Sequence, residues 1–264
     1  MKNLNQIFLF LTVVFSVISC NNDDTTIEEQ IVSSNKTIKK YSEKIYYNNQ
    51  IDYQFSADFN YSQGKLISIS DSQNVLEFNY NSNKITQIKK YTNNQLVDTN
   101  NLSYDGDLLR SITNESNDEK TTFSYVNGVL SSQINQYLDN QTWITHLESK
   151  YTFQMNNIQQ LITKNFSFSS SNKSTFEYDE KNNPMRNMNI YLKYILQYET
   201  CDFISKGNLL KQYSYSDIDS SDRILSHEYV ITYDSDNYPT LVKKYGVFNG
   251  QQNLISEAVI EYNN

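Results

Sequence analysis

The chain has 264 residues, a formal net charge of −8, and 22 Tyr and 13 Phe against six Gly and two Pro. That length suits a single all-β domain behind a leader, and aromatic enrichment favours sheet. The acidic balance argues against nucleic acid and anionic lipid as partners. The many Asn, Ser and Lys residues read as compositional bias and carry no functional signal.

Residues 1–19 read as a signal peptide. Lys2 supplies a thin positive start, and Ile7 to Ile18 is an apolar run too short for a typical membrane span. Val17-Ile18-Ser19-Cys20 resembles a bacterial lipobox, which makes Cys20 the expected lipidation site and gives stable anchoring through several acyl chains. Residues 20–40 follow as a polar tether, with Asp23, Asp24, Glu28 and Glu29 and few large apolar side chains, and are expected to be disordered. Residues 41–264 form the domain, in which Lys44-Ile45-Tyr46-Tyr47 reads as an edge strand.

A hairpin unit then repeats. Phe123-Ser124-Tyr125-Val126-Asn127-Gly128-Val129-Leu130 has a two-residue Asn-Gly turn, the pair that best tolerates the positive φ of a type I′ hairpin. With the Tyr at position zero, residue +5 faces it across the strands and residue −2 lies on its side. Phe59-Tyr61-Leu66, Phe78-Tyr80-Ile85, Leu102-Tyr104-Leu109 and Tyr151-Phe153-Ile158 fit the same frame. The intervening Asn60, Asn79, Ser103, Ser124 and Thr152 are polar, as one buried face requires. Position +8 is also apolar in Ile69, Ile88, Ile112 and Leu161. Strict alternation puts it on the wrong face, so either a β-bulge intervenes or both faces are partly covered.

Later copies carry an extra turn residue and a proline: Phe176-Glu177-Tyr178-Asp179 running to Pro184, and Ile231-Thr232-Tyr233-Asp234 running to Pro239. A weaker copy runs from Phe203 to Leu209 with Gly207-Asn208 in its turn. Tyr104-Asp105, Tyr178-Asp179 and Tyr233-Asp234, with Asn183-Pro184 and Pro239, resemble the YD-repeat (RHS-like) family and its short lipoprotein relatives over roughly residues 55 to 262. The resemblance implies a strip of antiparallel hairpins curled on itself. Large relatives use such strips as a shell around a toxic domain, and this chain has no spare length for cargo.

Trp143 to Phe153 reads as a long strand, with Trp143, Leu147, Tyr151 and Phe153 on one face and Ile144, His146, Glu148 and Lys150 on the other, so that His146 points to solvent. Residues 185–198 read either as a short helix or compact loop started by Asn183-Pro184, or as a strand with Ile190, Leu192, Tyr194 and Leu196 on one face. In the strand Ile224 to Asp234, Leu225, His227, Tyr229, Ile231 and Tyr233 share a face. Thr240–Val247 and Leu254–Tyr262 read as a closing hairpin.

No set of reactive residues stands out. Cys201 is the one cysteine besides Cys20 and reads as a small hydrophobe. Two histidines are too few for a His-based metal site, and the zincin, phosphate-loop, nucleophile-elbow and dinucleotide patterns are absent. The acidic turns Asp217-x-Asp219-x-x-Asp222 and Asp234-x-Asp236-Asn237 have the oxygen chemistry of calcium but also the composition of ordinary turns. Most Tyr residues are assigned to cross-strand packing, and Trp143 is the single tryptophan available to a sugar platform.

The expected fold is therefore all-β: an antiparallel β-hairpin repeat meander, strongly twisted and curled toward an open barrel or roll, with a short helix or compact loop near 185–198. Cys20 is the sole assigned site, with no catalytic residue, metal or cofactor. The expected function is a non-catalytic binding or scaffold lipoprotein of the outer membrane, facing the cell surface or the periplasm, with a protein or glycan partner. A carrier of an apolar ligand inside the rolled sheet is the alternative, and a polysaccharide-active enzyme a third.

Overall fold

The computed structural model describes residues 36–116, 118–196, 202 and 204–263. The signal peptide, Cys20, most of the tether, Cys201 and Phe203 lie outside these residues. In chain order the elements are β1 (Thr37–Tyr47), β2 (Gln50–Ser62), β3 (Lys65–Ser70), β4 (Asn74–Asn81), β5 (Lys84–Thr92), β6 (Gln95–Asp105), β7 (Leu108–Asn114) and β8 (Glu119–Val126). There follow β9 (Val129–Asp139), β10 (Thr142–Gln154), β11 (Asn157–Asn165), β12 (Ser170–Tyr178), α1 (Ile190–Ile195), β13 (Leu209–Tyr215), β14 (Arg223–Tyr233), β15 (Pro239–Phe248) and β16 (Gln251–Asn263). Each strand pairs antiparallel with its chain neighbour, and β1 pairs with β16, so the meander closes into a barrel. Two expectations shift as a result. Strand β1 begins at Thr37, so residues 37–40 belong to the wall and not to the tether, and Lys44 and Ile45 have a strand on both sides, while Tyr46 and Tyr47 pair with β2 alone.

The repeat frame holds in register. Tyr61 pairs with Leu66, Tyr80 with Ile85, Tyr104 with Leu109, Tyr125 with Leu130 and Phe153 with Ile158. A β-bulge follows in every one of these hairpins: Ile67, Thr86, Arg110, Ser131 and Gln159 have no partner. The extra residue resets the alternation, so Ile69, Ile88, Ile112 and Leu161 pair with the inward-facing Phe59, Phe78, Leu102 and Tyr151. Of the two explanations for the apolar +8 position, the bulge is correct.

Turn chemistry accounts for the Asn residues in the tight turns. Asn48, Asn49, Asn93, Asn94, Asn127, Asn140, Asn156 and Asn249 all sit at positive φ in the tight turns. With few glycines in the chain, Asn is the residue that tolerates this conformation best.

Inside the barrel, the position-zero tyrosines tie each hairpin to the one before it. Tyr80 donates its hydroxyl to the Leu66 carbonyl (2.8 Å), Tyr104 to Ile85 (2.7 Å) and Tyr125 to Leu109 (2.9 Å). Lys84 reaches across the following hairpin in the same way, lying over the Tyr104 ring and donating to the Gly106 carbonyl at 2.6 Å. The outward face is polar, with pairs such as Asn60–Ser68 (3.1 Å) and Ser103–Ser111 (2.7 Å). A membrane-spanning barrel has the opposite arrangement, an apolar belt outside and a polar lumen.

The described residues of the 179–208 segment leave the wall between β12 and β13 and pack into the barrel at the end that carries the Asn127-Gly128 turn. Tyr178 pairs with Leu209, so the expected copies at 176–184 and 203–209 are two halves of one interrupted hairpin. Within the insertion 184–187 is a turn and 190–195 a helix, as the loop-or-helix reading expected, and the strand reading fails. Asn189 caps α1 through its side chain, which accepts from the Tyr191 amide at 2.9 Å. Met185, Leu192, Tyr194, Leu196 and Ile204 are buried against the wall, and the Tyr194 ring lies 6.2 Å from that of Phe123. Ser205 accepts from the buried Ile158 amide (2.9 Å), and Gly207 donates to Asn157 Oδ1 (2.9 Å). The Asp of the Tyr-Asp pair has a structural role here: Asp179 Oδ1 accepts from the Asn208 amide at 2.8 Å and closes the neck of the insertion.

Two substitutions test this assembly. Tyr104→Phe removes one rung and is expected to lower unfolding stability by about 1 kcal/mol in a urea titration. A Cβ on Gly207 would collide with the Asp179 carbonyl oxygen, whereas one on Gly64 meets only open space at a strained φ. Gly207→Ala is therefore expected to expose residues 179–208 to limited proteolysis, and Gly64→Ala to cost about 1 kcal/mol without doing so.

Candidate functional site

Bulges relocate several of the side chains picked out from sequence. Thr145 pairs with Gln136 and Leu147 with Asn135, leaving His146 as an extra residue. Trp143 is thereby turned to the outer face, opposite Leu147, Tyr151 and Phe153, and Lys120 lies over its ring at 5.8 Å. His146 is not solvent-directed: its Nδ1 is buried without a hydrogen bond, and its ring lies 6.0 Å from that of Tyr137. In β14 the register slips between the pairs Gln212–His227 and Tyr213–Leu225, so Leu225 leaves the inward face that His227, Tyr229, Ile231 and Tyr233 share.

The inner wall of β1, β14, β15 and β16 carries polar groups beyond the apolar core. Glu43 and Ser256 are buried, and Tyr41 donates to Glu43 Oε2 at 3.0 Å. Lys244 pairs across the strands with Tyr229 and with Ser256, on the same inner face. His227 sits one pair further along, and its Nδ1 makes no hydrogen bond. Burial, with the Lys244 ammonium second, pulls its pKa down to about 4. Of these groups, Glu43 also lines the groove described below.

The acidic turns are ordinary turns. Asp234 Oδ1 accepts from the Asp236 and Tyr238 amides, both at 2.9 Å. In the other turn the Ile218 and Ser220 carbonyls accept from Lys173 Nζ at 3.2 and 3.0 Å, so an ammonium occupies the place a cation would take. Among the described residues no group of three or more His, Cys, Asp or Glu is arranged to hold a metal.

The open space lies in the wall. Strand β2 has 13 residues and β3 only 6, and the β2–β3 ladder ends at Asp58–Ser70. Beyond that pair, residues 50–57 of β2 pair with β1 alone, which leaves a notch between β2 and the 71–74 turn. A cavity of about 430 Å³ opens behind the notch, lined by Tyr53, Phe55, Ala57 and Leu76 and by Asp71, Asn74 and Lys90. A groove of about 800 Å³ lies in front of it and shares Tyr53, Phe55, Asp71 and Asn74 with the cavity. The Tyr53 and Phe55 rings stack 6.0 Å apart, and Tyr53 is 56% exposed.

Asp71 is held rigidly at the floor of the notch. Its Oδ1 accepts from the Gln73 and Asn74 amides, both at 2.7 Å, and the Asn74 side chain bonds both carboxylate oxygens. Burial opposes ionisation, but these donors outweigh it and keep the carboxyl below its usual range. Lys90 faces the cavity from the Leu76 pair and forms no ion pair among the described residues.

No family model matches the sequence, and no curated protein is detectably similar to it. The fold does have relatives. A porin-like protein from Bacteroides uniformis ATCC 8492 superposes with a TM-score of 0.56 over 86% of this chain and 97% of its own, at 13% identity. That likeness is one of fold. The TcdB2-TccC3 structure aligns with 84% of this chain and 12% of its own, at 12% identity and a TM-score of 0.33.

None of the notch residues was singled out from sequence, although the unequal spacing of turns around β2 and β3 signals a ragged wall. The His227 environment makes a separate prediction. Its folded pKa lies below the unfolded value near 6.5, so its contribution to stability is complete above pH 6.5 and is lost as pH falls toward 4. His227→Gln is expected to flatten the melting temperature between those values, and an unchanged pH profile would refute this.

Proposed function

We propose that this chain is a non-catalytic binding lipoprotein of the bacterial outer membrane, a short YD-repeat relative anchored through Cys20, and that it takes its ligand at the wall notch. The carrying observation is the notch itself, where the exposed Tyr53, with Phe55 beside it, lies near a fixed carboxylate and a lysine with no ion pair among the described residues, at the edge of a cavity of about 430 Å³. Beside the described residues of 179–208 the interior is packed with side chains of the strands, as where Tyr194 meets Phe123. The carrier reading narrows to the same cavity.

The notch is tested with the fluorescent apolar dye anilinonaphthalene sulfonate. The wild-type protein is expected to enhance its emission. Ala57→Trp, which places an indole in the cavity, is expected to abolish the enhancement while leaving the melting temperature within a few degrees. Equal enhancement by both proteins would remove the notch as a binding site.

A further inference from the structure

We infer that the notch binds a neutral oligosaccharide segment, stacked on Tyr53 and Phe55 and hydrogen-bonded by Lys90, Asp71 and the free edge of β2. This rests on the reading of the notch as the binding site and adds the ligand's chemical class.

Three observations point to a sugar. First, Tyr53 and Phe55 stand two residues apart on the inward face of β2, with ring planes 29° apart and centroids 6.0 Å apart. The exposed Tyr53 ring offers a face to a sugar ring, whose C–H groups pack against aromatic faces, and Phe55 backs it from the core side. An aromatic ring 56% exposed at a cavity mouth is not serving the core. Second, a donor and an acceptor are presented together: Lys90 lines the same cavity without an ion pair among the described residues, and Asp71 is locked in place by Gln73 and Asn74. Fixed polar groups beside an apolar platform set orientation and specificity in a small-ligand site. Third, residues 50–57 present a strand edge whose outward N–H and C=O groups have no ladder partner on the notch side. A polyhydroxylated chain satisfies such groups from both donors and acceptors.

Other ligand classes fit less well. An acyl chain in this cavity would strip water from Asp71, Asn74 and Lys90 without replacing its hydrogen bonds. A polyanion would meet Glu43, Asp58, Asp71 and Glu257 as well as Lys40 and Lys44 around the groove, in a chain already at net −8. The groove and the cavity share four lining residues, so the site runs through the wall and accommodates the interior of a chain as well as its end. A polypeptide pairing with the β2 edge is the competing occupant.

The test is affinity electrophoresis of the full chain through gels containing xylan, mannan, laminarin or dextran, with polygalacturonate and an unfolded carboxymethylated protein as the acidic and polypeptide probes. At least one neutral polysaccharide is expected to retard the protein. Tyr53→Ala is expected to weaken that retardation at least tenfold, Lys90→Met several-fold, and Tyr53→Phe to restore most of it. Retardation by polygalacturonate or the unfolded protein alone, by no probe, or equally of Tyr53→Ala and wild type would overturn the proposal. If dye binding is intact and blocked by Ala57→Trp while no neutral polysaccharide binds, the sugar is wrong and the site stands. If dye binding is not blocked, the site itself is wrong.

Discussion

The structure depends on one extra residue per hairpin. Without the bulge after position +5, Ile69, Ile88 and Ile112 would face water; with it they join Phe59, Phe78 and Leu102 on the inner wall. The bulge also increases local twist, which bends a long meander toward closure. The tyrosine hydroxyls then fix the offset between hairpins, since each reaches the carbonyl of the residue that faces the preceding tyrosine. Pairing, curvature and stagger thus come from the same eight-residue frame.

Closure at sixteen strands creates a problem that the chain solves by filling. Membrane barrels of that size leave an aqueous lumen. Here large aromatic and aliphatic side chains point inward, and residues 179–208 occupy one end, pinned to the wall at Ile158 and Asn157. The inner face is apolar, while the outer face carries polar pairs such as Asn60–Ser68 and Ser103–Ser111. Space for a ligand then arises where neighbouring strands differ in length, as β2 and β3 do.

The hairpins were legible because turn residues and period-two alternation are local: Asn127-Gly128 and the Tyr125–Leu130 pair could be placed from ten residues of sequence. Closure was less so, since β1 and β16 meet across the whole domain. Bulges were the main source of error. The one at His146 moves Trp143 to the outside, and the one at Ser226 moves Leu225, because a single unpaired residue inverts every face beyond it. The halves of the β12–β13 hairpin looked like separate repeats because the insertion begins and ends with turn-like residues, Asp179 and Gly207-Asn208. The notch was missed for a different reason: Tyr53, Asp71 and Lys90 come from three strands or turns, and no short window contains them.

The most direct test of the account is amide hydrogen exchange along β2. A notch beside a free edge requires alternate amides within residues 50–57 to exchange quickly, while those of residues 241–246 of β15, paired on both sides, are protected. Uniform protection through residues 50–57 would mean that another segment already covers the edge, and the binding site placed there would not exist.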